Sequence, residues 1–243
     1  MKNREEWQKT KYSKFWSNQV KKYGFDPYCQ GLYNLILSNK PSSVYELAIG
    51  TGWPFAKNFF DLGISVSGSD ISSLLVSEIK MTHPKINVTV SSYQDIIKEQ
   101  NVDYDIIYCF RSSWYFPNIL QAVEKMFMIV KPGGLVIFDI MNDDSKFIKY
   151  IKLKHRILIP ITLLKNILKV TLNQLFKSNY LVQNIWCQDE IPVSLVTIEN
   201  YLKNICSYYN KYSMNQIETN LNEEYNSDWK NDSKITFVCK SFV

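Results

Sequence analysis

Residues 44–52 read Val-Tyr-Glu-Leu-Ala-Ile-Gly-Thr-Gly, and this stretch decides the fold. Its apolar start predicts a buried strand that carries an acid, Glu46, and opens into a tight turn with two glycines. Pro54 follows at the position where a helix would begin. Glycine lets a backbone adopt strained angles and lie close to a ligand. A strand, a glycine turn and a helix N-terminus together indicate a site for a nucleoside-bearing cofactor.

Strands and helices alternate outward from this stretch. Apolar and alternating runs predict strands at residues 44–47, 64–70, 86–90, 104–110 and 135–140. Helices are predicted at residues 54–62, 72–81 and 117–130, and Lys131-Pro132-Gly133-Gly134 reads as a turn. This order predicts an α/β fold with a doubly wound, mostly parallel sheet and right-handed crossovers.

The two ends of the chain depart from this alternation. Residues 1–40 predict an N-terminal helical cap of two helices, broken at Gly24-Phe25-Asp26-Pro27. Residues 146–180 read as helical, a helix follows from Val196 to about Cys206, and two last strands are predicted at 208–217 and 235–239. No repeat or linker marks a boundary, so we expect residues 1–243 to form a single domain.

Charge is distributed unevenly along the 243 residues. The segment 145–188 has eight Lys and Arg residues and no Asp or Glu, so subtracting its +8 from the net charge of +5 leaves −3 for the rest. Such asymmetry indicates an anionic partner. The five cysteines form no CxxC pair and no zinc spacing, so we expect reduced thiols and no metal. A polar N-terminus and the lack of an apolar run of about 18 residues favour a cytoplasmic protein.

Two classes of cofactor use a glycine turn after the first strand and an acid after the second. A nicotinamide enzyme needs a third glycine three residues after Gly52, where this chain has Phe55, and no Tyr-x-x-x-Lys pair lies between the fourth and fifth predicted strands. The spacing Glu46-x-Ala48-x-Gly50-x-Gly52 fits another layout, in which the acid lies inside the motif. A nicotinamide dehydrogenase is therefore disfavoured.

Over residues 40–140 the chain resembles the class I S-adenosylmethionine-dependent methyltransferases. Four features carry the likeness: residues 46–52 as the first motif, Asp70 at the end of the second strand, Asp95 after the third, and residues 130–134 before the fifth. The resemblance implies a Rossmann-like sheet of seven strands with an antiparallel last strand, N-terminal helices and a helical insert. It also implies S-adenosylmethionine as cofactor, S-adenosylhomocysteine as product, and methyl transfer as the activity.

The resemblance also implies roles for individual residues. Glu46 would face the methionine ammonium, and the backbone of Ala48, Gly50 and Gly52 would approach the methionine chain. Asp70 would accept hydrogen bonds from the ribose hydroxyls. Each of the acids Glu46, Asp70 and Asp95 could instead cap a helix or lie in a surface turn. The remaining predicted cofactor contacts are Ile71, Asp95 and Ile96 around adenine, Phe110 at the fourth strand, and Tyr12 and Trp16 on a flap.

The acceptor site is predicted where the fourth and fifth strands end. Arg111 could hold a phosphate or carboxylate through a bidentate fork, or form a salt bridge across its loop. Tyr115 could form a wall of the site or part of the core, and Asn142 could contact substrate. His155 could act as a base or phosphate contact, or lie on a solvated face. The chain lacks the Asn/Asp-Pro-Pro-Tyr/Phe motif of base-amino methylases, which, with no RNA-binding module visible, disfavours nucleic acid.

The basic segment 145–188 lies where the family has its substrate lid, and three interpretations remain open. It could cover an anionic small substrate, rest on an anionic membrane, or form a dimer contact. The main hypothesis is a small-molecule methyltransferase that O-methylates a phosphorylated or nucleotide-linked sugar or polyol, as in surface polysaccharide modification. The alternatives are a membrane-associated quinone or lipid methyltransferase and a non-catalytic cofactor-binding partner.

Overall fold

A computed structural model describes residues 25–96, 103–150, 192–221 and 233–243, together with residues 17, 152, 153, 164, 167, 168 and 171. Seven strands form one sheet: β1 (Ser43–Leu47), β2 (Ser65–Asp70), β3 (Asn87–Val90), β4 (Tyr104–Cys109), β5 (Val130–Met141), β6 (Tyr208–Ser213) and β7 (Lys234–Lys240). Their order across the sheet is β3-β2-β1-β4-β5-β7-β6.

The sheet is parallel except at β7. Strand β1 pairs in parallel with β2 on one side and β4 on the other, and β3 and β5 extend the parallel part outward. Strand β7 pairs antiparallel with both β5 and β6. The predicted doubly wound, seven-stranded Rossmann-like sheet with an antiparallel last strand is therefore confirmed.

Helices pack on both faces of the sheet. They are α1 (Pro27–Ser38), α2 (Ala56–Asp61), α3 (Ser73–Thr82), α4 (Ile119–Ile129), α5 (Leu195–Ile205) and α6 (Met214–Glu218). Successive side chains of a strand point to opposite faces. Ile106 and Tyr108 of β4 accordingly join a core cluster with α1, α2, α3 and α6, while Ile107 and Cys109 join a second cluster with α4 and α5.

Polar caps and a glycine determine how α1 is positioned. Asp26 precedes the helix, and its carboxylate accepts a hydrogen bond from the backbone N–H of Cys29 at 2.8 Å. Pro27 occupies the first helical position, where no N–H is needed. Gly31 lies against α6 so closely that a Cβ there would be 1.8 Å from the carbonyl oxygen of Ile217. Only glycine permits this approach of the two helices.

The structure differs from the sequence-based prediction in two elements. Residues 131–134 do not separate α4 from β5; they form an irregularity inside β5, where β4 residues 104 and 106 pair with 130 and 135. The predicted strand 208–217 was too long. It ends at Ser213, whose side chain and Gln216 form a capping box that starts α6.

Several predicted segments lie mostly outside the described residues. Of the N-terminal cap (1–40), the structure describes α1; of the insert (145–188), it describes helical residues at 146–150 and a few positions beyond. Within the described part of the chain, no helix is long and apolar enough to cross a membrane.

Candidate functional site

The turn after β1 has three residues with left-handed backbone angles. The φ angles of Ala48, Gly50 and Gly52 are 61°, 60° and 75°. The turn is held against the end of β2 because the N–H of Ile49 donates to the carbonyl of Ser69 at 3.0 Å. A left-handed residue with a side chain is strained by about 1–3 kcal/mol. Ala48 therefore lies between strand β1 and the hydrogen bond of Ile49 to Ser69, and these two attachments hold its strained backbone.

Asp70 holds the turn and the start of α3 together. Its Oδ2 accepts from the N–H of Gly50 at 2.9 Å, and its Oδ1 accepts from the N–H of Ser72 at 2.8 Å. Burial raises the pKa of this carboxyl, and the two N–H donors act in the opposite direction. Each carboxylate oxygen can accept a second hydrogen bond, so Asp70 can still receive a ligand's hydroxyls.

A cavity of about 500 Å³ opens at the carboxyl ends of β1, β2, β3 and β4. Ligand sites of small molecules commonly have this volume, and sheets of this kind bind ligands at this edge. Four segments line the cavity, at residues 47–50, 69–75, 90–95 and 111–117, and most of the described residues in them take part.

Seven of the predicted site residues line this cavity. They are Ala48, Gly50, Asp70, Ile71 and Asp95 from the cofactor set, and Arg111 and Tyr115 from the acceptor set. The structure therefore brings residues from four separate loops to one cavity. Three other predicted residues, Tyr12, Trp16 and His155, lie outside the described residues.

Glu46 lies beneath the glycine turn and is not part of the cavity lining. Its Oε2 accepts a hydrogen bond from the hydroxyl of Tyr108 at 2.9 Å, and its side chain is buried. Burial is the largest cause that raises the pKa of Glu46 to about 8, and the nearby Asp70 adds to it. The predicted contact of Glu46 with the methionine ammonium stays a prediction.

Four other predicted residues are buried and are not part of the cavity lining. Gly52 faces the side chains of Ile79 and Ala56, Ile96 belongs to the core, and Phe110 packs on Phe55 with ring centroids 5.1 Å apart. Asn142 follows β5, where its Oδ1 accepts from the N–H of Asp144 at 3.0 Å. The Asn142 side chain therefore makes a hydrogen bond within its own turn.

Asp95 has the capping role that the sequence left open, and its contact with adenine stays a prediction. Its carboxylate accepts from the N–H of Ser92 at 3.0 Å, and together with the Ser92 side chain it forms a capping box for the 3-10 turn at residues 93–95. Asp95 is nonetheless exposed and lines the cavity. A capping carboxylate at this position still presents oxygen to a ligand.

Arg111 lies where β4 ends, and it has partners on both its backbone and its side chain. Its N–H donates to both carboxylate oxygens of Asp139 at 2.9 and 3.1 Å. Its Nη1 lies 3.3 Å from Cys29 Sγ and 3.6 Å from Asp26 Oδ2. Burial acts against the charge, but these neighbours outweigh it and raise the pKa of Arg111. Arg111 therefore forms a salt bridge, and its partner is Asp26 in the segment before α1 rather than a residue across its own loop.

Sequence reasoning missed several residues of the cavity wall. The apolar ones are Leu47, Leu75, Val90, Phe116 and Pro117, and the polar ones are Ser69, Ser91, Ser92, Ser112, Tyr93, Gln94 and Ser72. Half of them directly adjoin a predicted contact in the sequence, which was the signal available. The contact of Tyr93 with Phe116, at 5.0 Å between ring centroids, joins loops 23 residues apart and had no such signal.

The chemistry of the cavity fits the nucleoside half of S-adenosylmethionine. An adenosine needs an apolar slot for its ring and hydrogen-bond acceptors for its ribose hydroxyls and its amine. Leu75, Val90 and Ile71 supply apolar surface, and Asp70 and Asp95 supply carboxylates. Ser69 Oγ and Tyr93 Oη, in the wall, are buried and have no hydrogen-bond partner within the described chain. No group of three His, Cys, Asp or Glu side chains that could hold a metal occurs among the described residues.

Comparisons with known proteins give a family model and two curated relatives. A family model described as a methyltransferase domain matches residues 15–217. Two curated relatives are ubiquinone biosynthesis O-methyltransferases, from Nitrosospira multiformis (26% identical, over 42% of this chain and 44% of the relative) and Paraburkholderia phytofirmans (28% identical, 43% and 46%). The chain thus spans less than half the length of the curated relatives it matches.

Solved structures share the fold at low sequence identity. One is a methyltransferase from Thermotoga maritima described as a possible histamine N-methyltransferase, with a TM-score of 0.62 and 12% identity over 97% of this chain and 99% of that one. Another is the plantazolicin methyltransferase BpumL with a substrate analogue and S-adenosylhomocysteine (TM-score 0.63, 13% identity, 98% and 93%). A third is an S-adenosylmethionine-dependent methyltransferase from Clostridium acetobutylicum (0.59, 15%, 96% and 98%).

Proposed function

This chain belongs to the class I S-adenosylmethionine-dependent methyltransferases, and on that premise we propose that it methylates an oxygen of a small anionic metabolite. Its cofactor is S-adenosylmethionine and its product is S-adenosylhomocysteine. The acceptor we propose is a phosphorylated or nucleotide-linked sugar or polyol, as used in surface polysaccharides. One observation carries the proposal: the same cavity is lined by Gly50 and Asp70, after β1 and at the end of β2, which suit a nucleoside, and by the segment from Arg111 to Pro117, which suits an anion.

The residues around the cavity bind and orient more than they react. S-adenosylmethionine supplies a methyl group on a positively charged sulfur, which is a good leaving group. Alignment of the two reactants can then account for about 7–11 kcal/mol of the barrier. Asp70 would hold the ribose hydroxyls, the turn at residues 48–52 would lie along the methionine chain, and Asp95 would receive the adenine amine.

Among the lining residues that the structure describes, no side chain is a histidine, which supports an acceptor that is already anionic. Among the described residues that line the cavity, the titratable ones are Asp70, Asp95, Tyr93, Tyr115 and Arg111. Both carboxylates already accept backbone hydrogen bonds, and no histidine is part of this described lining. A phosphate or carboxylate oxygen needs no deprotonation before it attacks a methyl group. Arg111 is the cationic residue that would anchor it.

The wider chain supports the same proposal. The basic segment 145–188 would act as a lid that adds positive charge over the acceptor, within a single domain of residues 1–243. Tyr12 and Trp16 would form a flap over the cofactor, and Asn142 and His155 would contact the acceptor. Cys29, Cys109, Cys206 and Cys239 are buried free thiols, which supports a cytoplasmic location.

Two measurements test this proposal in order. Calorimetry with S-adenosylhomocysteine tests the cofactor, and no binding at millimolar ligand would refute it. Transfer of labelled methyl from S-adenosylmethionine to a panel of sugar phosphates and nucleotide sugars then tests the acceptor. With an accepted substrate, Arg111→Gln should raise KM at least tenfold because the anion loses its charged partner, whereas Lys80→Gln on α3 should not. An acceptor KM that Arg111→Gln leaves unchanged would remove Arg111 as the anchor.

A second candidate, a membrane-associated quinone or lipid methyltransferase, is favoured by the curated relatives. Both are ubiquinone biosynthesis O-methyltransferases, and the aromatic Tyr115 and Phe116 line the acceptor end of the cavity. The insert also exposes apolar side chains at Leu164, Ile167 and Leu168. Flotation with anionic liposomes and methyl transfer to a catechol would support this candidate over the sugar phosphates. Cofactor binding without transfer to either panel would favour a non-catalytic partner.

A further inference from the structure

The acceptor half of the cavity is formed by one segment that begins in a strained conformation. Arg111 has a φ of 58°, in the left-handed region that residues with side chains rarely adopt. Arg111 itself lines the cavity, and so do four residues that follow it in the chain: Ser112, Tyr115, Phe116 and Pro117. The direction in which the chain leaves β4 therefore decides where the acceptor wall lies.

Asp139 is the residue that holds this strained start. Its carboxylate accepts the Arg111 N–H with both oxygens, at 2.9 and 3.1 Å, and its backbone carbonyl accepts the hydroxyl of Ser113. Asp139 itself is completely buried in β5, next to β4. The segment is thus tied at residues 111 and 113 to a single residue of the neighbouring strand.

A buried polar network in turn holds Asp139. The hydroxyl of Tyr28 donates to Asp139 Oδ2 at 3.3 Å and lies 3.0 Å from Thr236 Oγ1. Lys234 lies over the Tyr28 ring at 5.6 Å. Burial raises the pKa of Asp139 to about 6, and the positive charges of Lys234 and Arg111 offset part of that effect. Helix α1 and strand β7 therefore fix the rotamer of the carboxylate. A buried network whose members all have partners is rigid.

We propose that Asp139 is a positioning residue for the acceptor: it pre-forms the wall at residues 111–117 by fixing the left-handed backbone of Arg111. It does not contact the reacting atoms, since it is not part of the cavity lining that the structure describes. The link to the acceptor rests on the proposed function. The link to the Arg111 backbone rests on the hydrogen bonds alone.

Amide hydrogen exchange in the presence of S-adenosylhomocysteine tests whether Asp139 holds the Arg111 backbone, and it needs no acceptor. In Asp139→Ala the Arg111 amide should exchange at least tenfold faster, because it loses both oxygens. Asp139→Asn keeps one side-chain oxygen but has no charge, so the exchange rate of its Arg111 amide should lie between the rates of the wild type and Asp139→Ala. If the alanine variant does not fold, an exchange rate in Asp139→Asn at least threefold above the wild type is the required result.

Asp105→Ala provides a matched control. Asp105 is also an aspartate that accepts backbone N–H groups, from Ser42 and Ser43, but it lies near the opposite end of β4. Its removal should speed exchange at residues 42 and 43 and leave the Arg111 amide unchanged. Unchanged protection of Arg111 in a folded Asp139 variant, or equal loss in Asp105→Ala, overturns the inference.

Binding and kinetics test the acceptor part. Asp139→Asn should bind S-adenosylhomocysteine within twofold of the wild type, since none of the hydrogen-bond partners of Asp139 described above is a predicted cofactor contact. With a substrate from the acceptor panel, its KM should rise at least fivefold while the affinity for the cofactor product stays constant. Normal acceptor KM together with a deprotected Arg111 amide would overturn the role in acceptor binding. If no acceptor is methylated but the amide is deprotected, the proposed function fails and the backbone role of Asp139 stands.

Discussion

Asp70 and Glu46 are both buried acids beside the glycine turn, but their carboxylates have different partners. Asp70 accepts two backbone N–H groups and lines the cavity, whereas Glu46 accepts a tyrosine hydroxyl behind the turn. Their positions on adjacent parallel strands explain the difference, because Glu46 pairs with Gly68, two residues before Asp70. Asp70 is at the strand's end, and Glu46 is not.

Asp70→Ala should weaken S-adenosylhomocysteine binding by about 1–3 kcal/mol, which is roughly 5- to 150-fold in Kd. The variant loses the acceptor for the ribose and also the hydrogen bond that holds Gly50. Calorimetry measures the change. Asp61→Ala, at the exposed end of α2, is the control and should bind normally. Unchanged affinity in Asp70→Ala would show that the ribose lies elsewhere.

Glu46 should make the free energy of unfolding depend on pH. Burial raises its pKa from 4.5 to about 8, so between those values the folded state binds more protons than the unfolded one. The contribution of Glu46 to stability therefore falls as pH rises from about 4.5 to 8, by about 1.4 kcal/mol for each unit of pKa difference.

Urea denaturation of Glu46→Gln and the wild type between pH 6 and 9 tests this dependence. The glutamine does not titrate, so the stability difference should shift in favour of the variant as pH rises. If the difference stays constant over that range, Glu46 is ionised in the folded protein throughout it.

At the scale of elements, hydrogen bonds between strand ends and contacts between helices determine how neighbouring elements pack. Asp105 joins the starts of β1 and β4, since it accepts the N–H groups of Ser42 and Ser43 at 2.6 and 3.0 Å and pairs with Lys131. Burial alone would raise the pKa of Asp105, but these donors hold it well below its usual value. This stabilisation is present above about pH 4 and is lost as the pH falls below that value.

Gly31→Ala should lower the free energy of unfolding by about 1–3 kcal/mol. Alanine favours a helix by about 1 kcal/mol over glycine, but its Cβ would lie 1.8 Å from the backbone oxygen of Ile217, so α1 and α6 would have to separate. Urea denaturation checks the sign. Gln30→Ala, at the exposed neighbouring position of α1, is the matched control and should change stability by less than about 0.5 kcal/mol. A higher free energy of unfolding in Gly31→Ala would mean that α6 can shift away from α1 without loss of stability.

At the scale of the whole molecule, the cavity depends on parts that are far apart in sequence. Loops after β1, β2, β3 and β4 converge on it, so a ligand there should stabilise the folded sheet as a unit. S-adenosylhomocysteine at 100 times its Kd should add about 2.7 kcal/mol to the free energy of unfolding. For a domain of this size that is a rise of roughly 5–10 °C in Tm.

Thermal unfolding with and without the ligand measures this rise. At the same ligand concentration Asp70→Ala should show a smaller one, because its affinity is lower. An equal rise in both proteins would indicate that the ligand stabilises the fold from a site other than this cavity.

Much of the fold could be predicted because it is encoded locally. The alternation of apolar runs and helical segments indicated the order of β1 to β5, and Gly50 and Gly52 indicated the left-handed turn. The extent of β5 and β6 was less predictable. A bulge at residues 131–134 looks like a turn in sequence, since glycine and proline favour both. The capping box of Ser213 and Gln216 ends β6 within a run that reads as a strand.

The sequence by itself determined the α/β class, the cofactor turn and Asp70 at the end of its strand, because each depends on the backbone needs of neighbouring residues. Only the tertiary structure decided that Glu46 is covered by Tyr108, and that Arg111 is held by Asp139, 28 residues away. Those pairings depend on the register between strands and on which face of a strand a side chain occupies. A buried carboxylate takes the donors that folding brings within about 3 Å of it, and spacing along the chain does not show which those are.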